Sequence, residues 1–339
     1  MRRVAGASSD LPTTFAASAA RWRVGFTILV LLIAGHAAGQ PAGDATAQNL
    51  LAHMSAALRA LDYQGSFIYQ HDGRIDALRI FHAGGMPERE RLLSLSGVRS
   101  EIVRDGASVI CLPGGLPTVL LPNRLAAHLL PLIPDTRGAG FARLYSLSVG
   151  GTDRIAGYPA QIIDIAARDG YRYGYRLWLD ENSHLPLRSA VVDGARRPLE
   201  QFMFVTLDIG AKPRQSDLAP ASAATSAAAA PEVPLGGPPQ WRVADLPPGF
   251  YFMHSQRPAE GPTQAEHQIY TDGVANVSVY IEPRSGPSAP DRSLARGALG
   301  IYSHDVGTWR ITGLGDAPRA TVERMVRSVQ PVAPDGGTR

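Results

Sequence analysis

The spacing of apolar residues predicts one helix followed by a series of strands. Near residue 50, apolar side chains recur every three or four positions, as in a helix that packs one face on a sheet: Leu50, Leu51, Met54, Leu58 and Leu61. Asp44 or Thr46 can cap the start of this helix. Strand-like runs then follow, several of them flanking Asp-Gly turns: Ser66–His71, Ala77–His82, Val98–Arg104, Ser108–Leu112, Tyr171–Asp180, Leu187–Val192 and Leu199–Leu207. Between them, the apolar, proline-broken stretch 123–134 predicts a short helix or an irregular lid.

The run Tyr171–Asp180 alternates with a period of two. Its odd positions carry tyrosine and leucine, and its even positions are mainly charged: Arg172, Gly174, Arg176, Trp178 and Asp180. Because successive side chains of a strand point to opposite faces, the pattern predicts a sheet with one apolar and one solvated face. The pattern leaves open whether a helix fills the apolar face or whether that face is a ligand groove.

A second, smaller domain follows a segment poor in large apolar residues. Residues 211–238 are rich in alanine and proline, which predicts a semi-flexible linker. After it, strands flank Asp272-Gly273, two more strands follow near residues 300–314, and an apolar stripe predicts a closing helix over Pro318–Val329. The sequence thus predicts a domain over 44–210 and a smaller antiparallel sheet with one helix over 239–330.

The amino terminus has the pattern of a secretory signal peptide. Four arginines precede the mostly apolar run Val24–Ala34, and small residues follow up to Gly39. An uncleaved membrane anchor is the weaker alternative, because spanning a bilayer takes about 20 apolar residues. Removing 1–39 takes four of the 33 basic and one of the 30 acidic residues, which leaves 29 of each. The mature chain therefore lacks the basic excess of a nucleic-acid-binding protein.

Candidate catalytic chemistry is sparse. The presence of a single cysteine, Cys111, excludes a disulfide scaffold. Its apolar sequence neighbours indicate that it is a small buried hydrophobic residue. No nucleophile elbow, phosphate loop or zinc motif is present, so we expect no cofactor and no enzymatic activity. His71 and His82 on neighbouring strands could meet in space, and Asp153 or Asp180-Glu181 could act as acid and base. The first is a weaker interpretation than two polar strand residues near a sheet edge, and the second is weaker than solvated turn and strand-end acids. Glycine (35) and proline (27) favour a turn-rich β architecture, and binding is the better-supported class of function.

Five segments resemble the signature of the RseB/MucB family. They run in the family's order over residues 46–330: Arg172–Asp180, Leu185–Arg188, Leu199–Phe202, Ile269–Pro283 and Gly307–Asp316. The chain departs from the family pattern in its long amino-terminal extension and its alanine-rich linker.

The resemblance implies a fold class of α+β, mainly β. It predicts a LolA/LolB-like unclosed β-barrel with helices, followed by the smaller antiparallel-sheet domain. It also implies a periplasmic negative regulator of an envelope-stress sigma factor of the sigma-E/AlgU type. Such a regulator binds the periplasmic domain of an RseA/MucA-type anti-sigma factor, shields it from proteolysis, and releases it on sensing lipopolysaccharide or lipoprotein acyl chains. The resemblance is also compatible with a protein that forms homo-oligomers. The alternatives are a LolA-type carrier of lipoproteins or lipids and, from another class, a secreted hydrolase.

Two sets of residues follow as site predictions. We expect the apolar strand face of the larger domain to line the lipid groove: Phe67, Tyr69, Leu78, Ile80, Tyr173, Tyr175 and Leu177. We expect the smaller domain to contribute to the partner surface around Tyr280 and Trp309.

Overall fold

The computed structural model of the chain describes residues 42–106, 108–112, 139–220, 232–234, 238–258 and 265–332. Four helices lie within these ranges: α1 (Ala42–Ala60), α2 (Ala139–Leu144), α3 (Gln215–Leu218) and α4 (Arg319–Arg327). The predicted signal peptide and the stretch 123–134 lie outside the described residues.

Among the described residues, ten strands form the first sheet, in the spatial order β5-β4-β3-β2-β1-β10-β9-β8-β7-β6. Every neighbouring pair is antiparallel. The strands are β1 (Tyr63–His71), β2 (Arg74–Ala83), β3 (Arg89–Ser94), β4 (Glu101–Asp105), β5 (Ser108–Leu112), β6 (Tyr145–Ile155), β7 (Tyr158–Ala167), β8 (Gly174–Asp180), β9 (Pro186–Val192) and β10 (Pro198–Ile209). The described strands show no pairing between the two edges, β5 and β6, so the sheet is unclosed.

The helix α1 fills the inner face of the first sheet. Leu51, Met54 and Leu58, from the predicted apolar stripe, are buried in one cluster with side chains of the strands. Burial of a leucine-sized side chain contributes roughly 1.5–3 kcal/mol, so this stripe supplies much of the domain's cohesion. The helix begins at Ala42, so Asp44 and Thr46 lie inside its first turns. The predicted cap was wrong, although the Asp44 carboxylate still interacts favourably with the positive end of the helix dipole.

The Asp72-Gly73 turn explains why β1 and β2 form a tight hairpin. Both residues have positive φ angles, 49° and 72°, which a two-residue turn between twisted strands requires. Glycine adopts this conformation without a steric cost, and aspartate tolerates it better than most residues. Since the two strands pair without a break from Tyr63↔His82 to His71↔Arg74, the predicted hairpin is confirmed.

The second sheet occupies the carboxy-terminal part of the chain. Its seven described strands lie in the order β11-β13-β14-β15-β18-β17-β16, and β12 and β19 form a separate pair. The helix α4 packs against β17 and β18 and closes an apolar core that includes Val277, Val322 and Val326. The strands are β11 (Glu232–Pro234), β12 (Trp241–Val243), β13 (Tyr251–Pro258), β14 (Glu266–Thr271), β15 (Asn276–Pro283), β16 (Arg292–Arg296), β17 (Leu299–Val306), β18 (Trp309–Gly315) and β19 (Val329–Pro331). The predicted class, mainly β with a smaller antiparallel sheet and one helix, is confirmed.

Secondary structure extends into the segment predicted as a linker, 211–238. The helix α3 buries Leu218 against Phe81 and Ala83 of β2. Arg91 donates a hydrogen bond to the carbonyl of Asp217, 3.3 Å away, which also fixes α3 to the first sheet. Farther along, β11 pairs with β13 of the second sheet. Composition did not indicate these elements because each depends on a few contacts with a distant part of the chain.

The outer face around β8 is less solvated than its alternation predicts. The strand begins at Gly174, so residues 171–173 precede it, and Arg172, Trp178 and Asp180 are all buried. Asp180 accepts hydrogen bonds from the backbone and hydroxyl of Ser183, both at 2.7 Å. The prediction of a solvated face was wrong for Arg172, which the second sheet covers, and for Asp180, which Ser183 caps, whereas the Arg176 side chain is 40% exposed.

Candidate binding surfaces and the junction between the sheets

The predicted lipid-groove residues share the inner face of the first sheet. Six of the seven are buried in its apolar core cluster: Phe67, Tyr69, Leu78, Ile80, Tyr175 and Leu177. Tyr173, which precedes β8, is half-buried and packs against the same cluster. The register explains this grouping, since Phe67 of β1 lies opposite Leu78 of β2 and Phe204 of β10. The structure therefore brings the set together, under the cover of α1.

A second element, α2, also covers this face. Its Phe141 stacks on Tyr145 at the start of β6, with ring centroids 5.0 Å apart, and Leu144 joins the same apolar cluster. Leu144 also lies against Gly249, which lies between β12 and β13. A side chain at that glycine would collide, because a Cβ there would lie 2.6 Å from the Leu144 methyl carbons. The same short helix thus covers the inner face and contacts the carboxy-terminal domain.

The predicted partner residues Tyr280 and Trp309 lie on opposite faces of the second sheet. Tyr280 pairs with Thr312 across β15 and β18, and its ring stacks on His267 with centroids 4.0 Å apart. Trp309 packs against the apolar core and contacts Trp241, with ring centroids 5.1 Å apart. Both are half-buried. The structure does not bring these two side chains together.

Arg172 forms the centre of the junction between the two sheets. It lies in the connection from β7 to β8, and its side chain and that of Asp272, in the turn from β14 to β15, are both 0% exposed. The guanidinium donates to Asp272 Oδ2, to the Pro248 carbonyl and to Asp169 Oδ1, the last at 3.0 Å. It also lies over the Phe250 ring, 5.3 Å from the centroid. Several partners compensate this buried charge, as a buried ion pair requires.

Tyr145 joins this junction to the inner face. Its hydroxyl donates to the Asp272 carboxylate at 2.9 Å, and its ring contacts both Phe141 and the Arg172 guanidinium. Burial raises the pKa of the Tyr145 phenol well above its usual range, and the charge of Asp272 raises it further. The phenol is therefore held as a neutral donor. One residue belongs at once to the apolar core and to the polar junction.

More exposed contacts surround Arg172. The Tyr171 carbonyl accepts a hydrogen bond from the Thr321 hydroxyl at 3.0 Å, and the Tyr171 hydroxyl accepts one from Arg324 at 2.8 Å. Arg324 also pairs with Asp245, and this pairing holds the pKa of the Asp245 carboxyl below its usual range. A separate contact between the two sheets lies at Glu200 of β10. Its Oε2 accepts hydrogen bonds from the Tyr69 hydroxyl at 3.1 Å and from the amide of Ala298, between β16 and β17, at 3.4 Å.

Sequence reasoning missed the junction. Arg172 and Asp272 were placed on a solvated strand face and in a turn, where charged residues are normally exposed. A usable signal was the run of aromatic and glycine residues between Arg172 and Arg176, Tyr173-Gly174-Tyr175, which is an unusual setting for a solvated arginine. Its partner, 100 residues away, had no local signal.

The remaining candidate chemistry is dispersed. His71 and His82 lie at opposite ends of the β1–β2 hairpin, since His71 pairs with Arg74 and His82 with Tyr63, so the idea that they meet was wrong. Asp153 accepts a hydrogen bond from Trp178 Nε1 at 3.1 Å. In the part of the chain that the structure describes, no group of three or more potential metal ligands comes together. A search of the same residues for a helix of membrane-spanning length and hydropathy finds none.

The fold and these surfaces define a class: a mainly β protein with two antiparallel sheets, whose helix-covered apolar face adjoins a polar junction. The comparisons with known proteins identify the family. Residues 46–222 match the model of the MucB/RseB N-terminal domain, and residues 237–330 match that of the MucB/RseB C-terminal domain. The chain belongs to the MucB/RseB family.

Two bacterial relatives match this chain over most of its length. The sigma factor AlgU regulatory protein MucB of Pseudomonas aeruginosa is 33% identical over 324 residues, covering 91% of this chain and 98% of the relative. The sigma-E factor regulatory protein RseB of Escherichia coli K12 is 29% identical over 310 residues, covering 88% and 94%. The structure of the Pseudomonas aeruginosa MucA/MucB complex matches with a TM-score of 0.70 at 30% identity, covering 85% of this chain and 100% of that one.

Proposed function

We propose that this protein is a periplasmic regulator that binds the periplasmic region of a MucA/RseA-type anti-sigma factor and shields it from proteolysis. Lipopolysaccharide or lipoprotein acyl chains then cause its release. The observation that carries the proposal is family membership through both domains, together with the similarity to MucB in its complex with MucA. The signal-peptide pattern of residues 1–39 supports the periplasm as the compartment.

The proposal assigns partner binding to one arrangement of the two domains. A buried ion pair with several hydrogen bonds is directional, so the Arg172–Asp272 junction forms only when the two sheets meet in one orientation. A partner that contacts both domains binds this orientation better than others. The partner therefore stabilises the junction, and the junction favours the partner.

The proposal assigns acyl-chain binding to the inner face of the first sheet. That face is apolar and its cover is apolar, so a hydrocarbon chain can replace helical side chains without leaving a polar group unpaired. Displacement of α2 moves Phe141 and Leu144, and with them Tyr145, which donates to Asp272. An acyl chain at this face thus weakens the junction, and lipid and partner reduce each other's affinity by the same factor.

A protease-protection assay tests the central proposal. Purified periplasmic domain of a MucA-type anti-sigma factor is incubated with a periplasmic protease that cleaves it, with and without this protein. We expect slower cleavage with the protein present and recovery of cleavage when lipopolysaccharide is added. Equal cleavage rates with and without the protein would refute the shielding role.

A pair of variants tests the lipid face. Tyr175→Asp places a charge in the inner-face cluster, whereas Val205→Asp places the same charge on an exposed position of β10 in the same sheet. We expect acyl-lipid binding to be lost in the first variant and retained in the second, with thermal unfolding used to check that both fold. Tyr175→Asn, which places an uncharged polar group at the same position, serves if the charged variant does not fold. Unchanged lipid affinity in a folded inner-face variant would exclude this face.

A second pair tests the partner surface. Because Tyr280 and Trp309 lie on opposite faces of the second sheet, Tyr280→Ala and Trp309→Ala report on separate surfaces. We expect at least one of the two variants to bind the anti-sigma domain more weakly than the unmodified protein. Full affinity in both would remove these positions from the partner surface.

A further inference from the structure

A cavity of about 220 Å³ opens on the outer face of the first sheet, opposite the apolar inner face. It lies beside the β7–β8 connection and the turn between β9 and β10. Its lining combines four guanidinium groups, three carboxylates and an indole ring: Arg172, Arg176, Arg188, Arg196, Asp164, Asp169, Asp193 and Trp178. Ala190 and Val192 add an apolar surface. About 150 Å³ is enough for a benzene ring, so this cavity has room for a ring with one further group.

Two of the four arginines that line the cavity are already neutralised. Arg176 forms a bidentate pair with Asp164, with N–O distances of 2.7 and 2.9 Å. Arg172 is bound to Asp169 and Asp272 in the junction. For Arg188 and Arg196, no carboxylate of the described residues lies within 4.0 Å. The third lining carboxylate, Asp193, pairs with Arg197, so Arg188 and Arg196 are the two lining cations without an ion-pair partner among the described residues.

Arg188 is held in place without a direct ion pair to any carboxylate in the part of the chain that the structure describes. Its guanidinium lies 4.2 Å from the centroid of the Trp178 ring, and its Nη2 donates to Gln201 Oε1 at 2.7 Å. Its Nε is buried and has no hydrogen-bond partner within the described structure. Desolvation lowers the pKa of Arg188, the charge of Asp153 offsets part of this shift, and the charge of Arg176 lowers the pKa further. An anion at this position would relieve that cost.

Arg196 is presented by a rigid turn. Its φ angle of 62° is left-handed, and its amide donates to the Asp193 carbonyl at 2.8 Å. Asp193 also accepts hydrogen bonds from the amides of Ala195 and Arg197, both at 2.9 Å. Because the backbone of this turn is already fixed, binding a ligand through the exposed Arg196 guanidinium costs little backbone entropy.

We propose that this cavity binds a small ligand that carries a phosphate or carboxylate group next to an apolar or planar part. Arg188 and Arg196 meet the anionic group, because guanidinium groups pair with phosphate and carboxylate by strong charge-assisted hydrogen bonds. The planar part lies against Trp178, Ala190 and Val192. This site is separate from the inner face, and it requires neither the partner nor an acyl chain.

Calorimetric titration of the full chain with phenyl phosphate tests the site. We expect saturable binding of phenyl phosphate, weaker binding of inorganic phosphate, and no binding of phenol at the same concentrations. Raising the salt concentration should weaken phenyl phosphate binding, since an exposed guanidinium contributes to it. Equal binding of phenol and phenyl phosphate would overturn the assignment of the anionic group.

Three arginine variants locate the site. We expect Arg188→Ala to weaken phenyl phosphate binding about tenfold or more, as loss of a charge-assisted hydrogen bond does. Arg196→Ala changes an exposed side chain, so it should fold and should weaken binding several-fold. Arg292→Ala, on the exposed strand β16, is the matched control and should bind normally. Binding that is unchanged in both cavity variants, or equally reduced in all three, would overturn the proposal.

The same variants identify the source of the anionic group. Vesicles of phosphatidylglycerol, compared with phosphatidylcholine vesicles, present it as a lipid headgroup, whereas phenyl phosphate presents it free in solution. Vesicle binding that depends on Arg188 supports a headgroup as the ligand. Phenyl phosphate binding that depends on Arg188, with no vesicle binding, supports a soluble ligand. Loss of neither interaction in Arg188→Ala excludes the cavity for both sources.

Discussion

The inner face of the first sheet and the junction between the two sheets are both buried, but they are built from different chemistry. The inner face is a cluster of aliphatic and aromatic side chains under α1 and α2. The junction centres on a fully buried ion pair, to which a phenol and a backbone carbonyl also bind. The two regions meet at Tyr145.

This difference separates two roles. Apolar contacts are non-directional, so one hydrocarbon can replace another with a modest change in free energy. A buried ion pair is strongly favourable in one geometry and costly when one partner is missing. We therefore expect the inner face to accept an apolar ligand, and the junction to be either formed or broken.

Arg172→Ala should have the largest effect on stability. It leaves the Asp272 carboxylate buried without its cation, so we expect the free energy of unfolding to fall by about 3–5 kcal/mol. The combined variant Arg172→Met and Asp272→Asn removes both charges and should recover part of this loss. Denaturant unfolding of the full chain measures both effects. A loss below about 1 kcal/mol, which is typical of exposed ion pairs, would contradict the picture of a buried junction.

Leu177→Ala tests whether the inner face accepts an apolar ligand. We expect it to lose about 2–5 kcal/mol, because the truncation leaves a cavity in a closely packed core. Octanoate below its micellar concentration should restore part of the thermal stability. Ile311→Ala, in the second-sheet core, is the control, since it creates a comparable cavity far from the inner face. Equal stabilisation of both variants by octanoate would argue against a special role for the inner face.

Tyr145→Phe tests the hydrogen bond that joins the inner face to the junction while leaving the rest of both regions in place. The variant keeps the ring in the apolar cluster and removes one hydrogen bond to a carboxylate, which costs about 1.5–3 kcal/mol. We expect this loss to be non-additive with that of Arg172→Ala, since both side chains bind the same Asp272 oxygen. A double-mutant cycle measures the coupling. Strict additivity would show that the two contacts are independent.

Alkaline pH should remove the stabilisation that the neutral Tyr145 phenol provides through its hydrogen bond to Asp272. Burial raises the folded-state pKa of Tyr145, whereas an unfolded tyrosine ionises near pH 10. The stabilisation is therefore fully present below about pH 10 and is lost as the pH rises beyond that value. Unfolding free energies measured at increasing pH above 9 should fall more steeply for the unmodified protein than for Tyr145→Phe. Parallel curves would contradict this assignment.

Asp245→Ala should have the smallest effect. Its pair with Arg324 lies at the edge of the junction, and the Asp245 side chain is 55% exposed, so solvent screens the interaction. We expect no measurable change in unfolding free energy at neutral pH. A loss comparable with that of Arg172→Ala would mean that the edge of the junction, rather than its buried centre, holds the two sheets together.

The sequence predicted most of the local elements because their signals are local. The Asp72-Gly73 turn, the stripe that includes Leu51 and Met54, and the alternation along β8 depend on neighbours within a few positions. The apolar set from Phe67 to Leu177 was also found this way, since side-chain direction along a strand follows from periodicity alone. Whether that set binds lipid stays a prediction.

The errors lie where distant segments meet. Periodicity assigned Arg172 to a face of β8 and a turn signal placed Asp272 correctly in a loop, but neither pattern contains the other residue. Likewise, α3 and β11 depend on contacts with β2 and β13 that alanine-rich composition does not encode.

The sequence by itself determined the class of fold, the order of the elements and the apolar face, because hydrophobic periodicity and turn chemistry act between near neighbours. The tertiary structure alone decided which charges are buried, which helix covers that face, and that Tyr145 joins the two. Burial of a charge depends on a partner brought from far along the chain, and its energy exists only once that partner is in place.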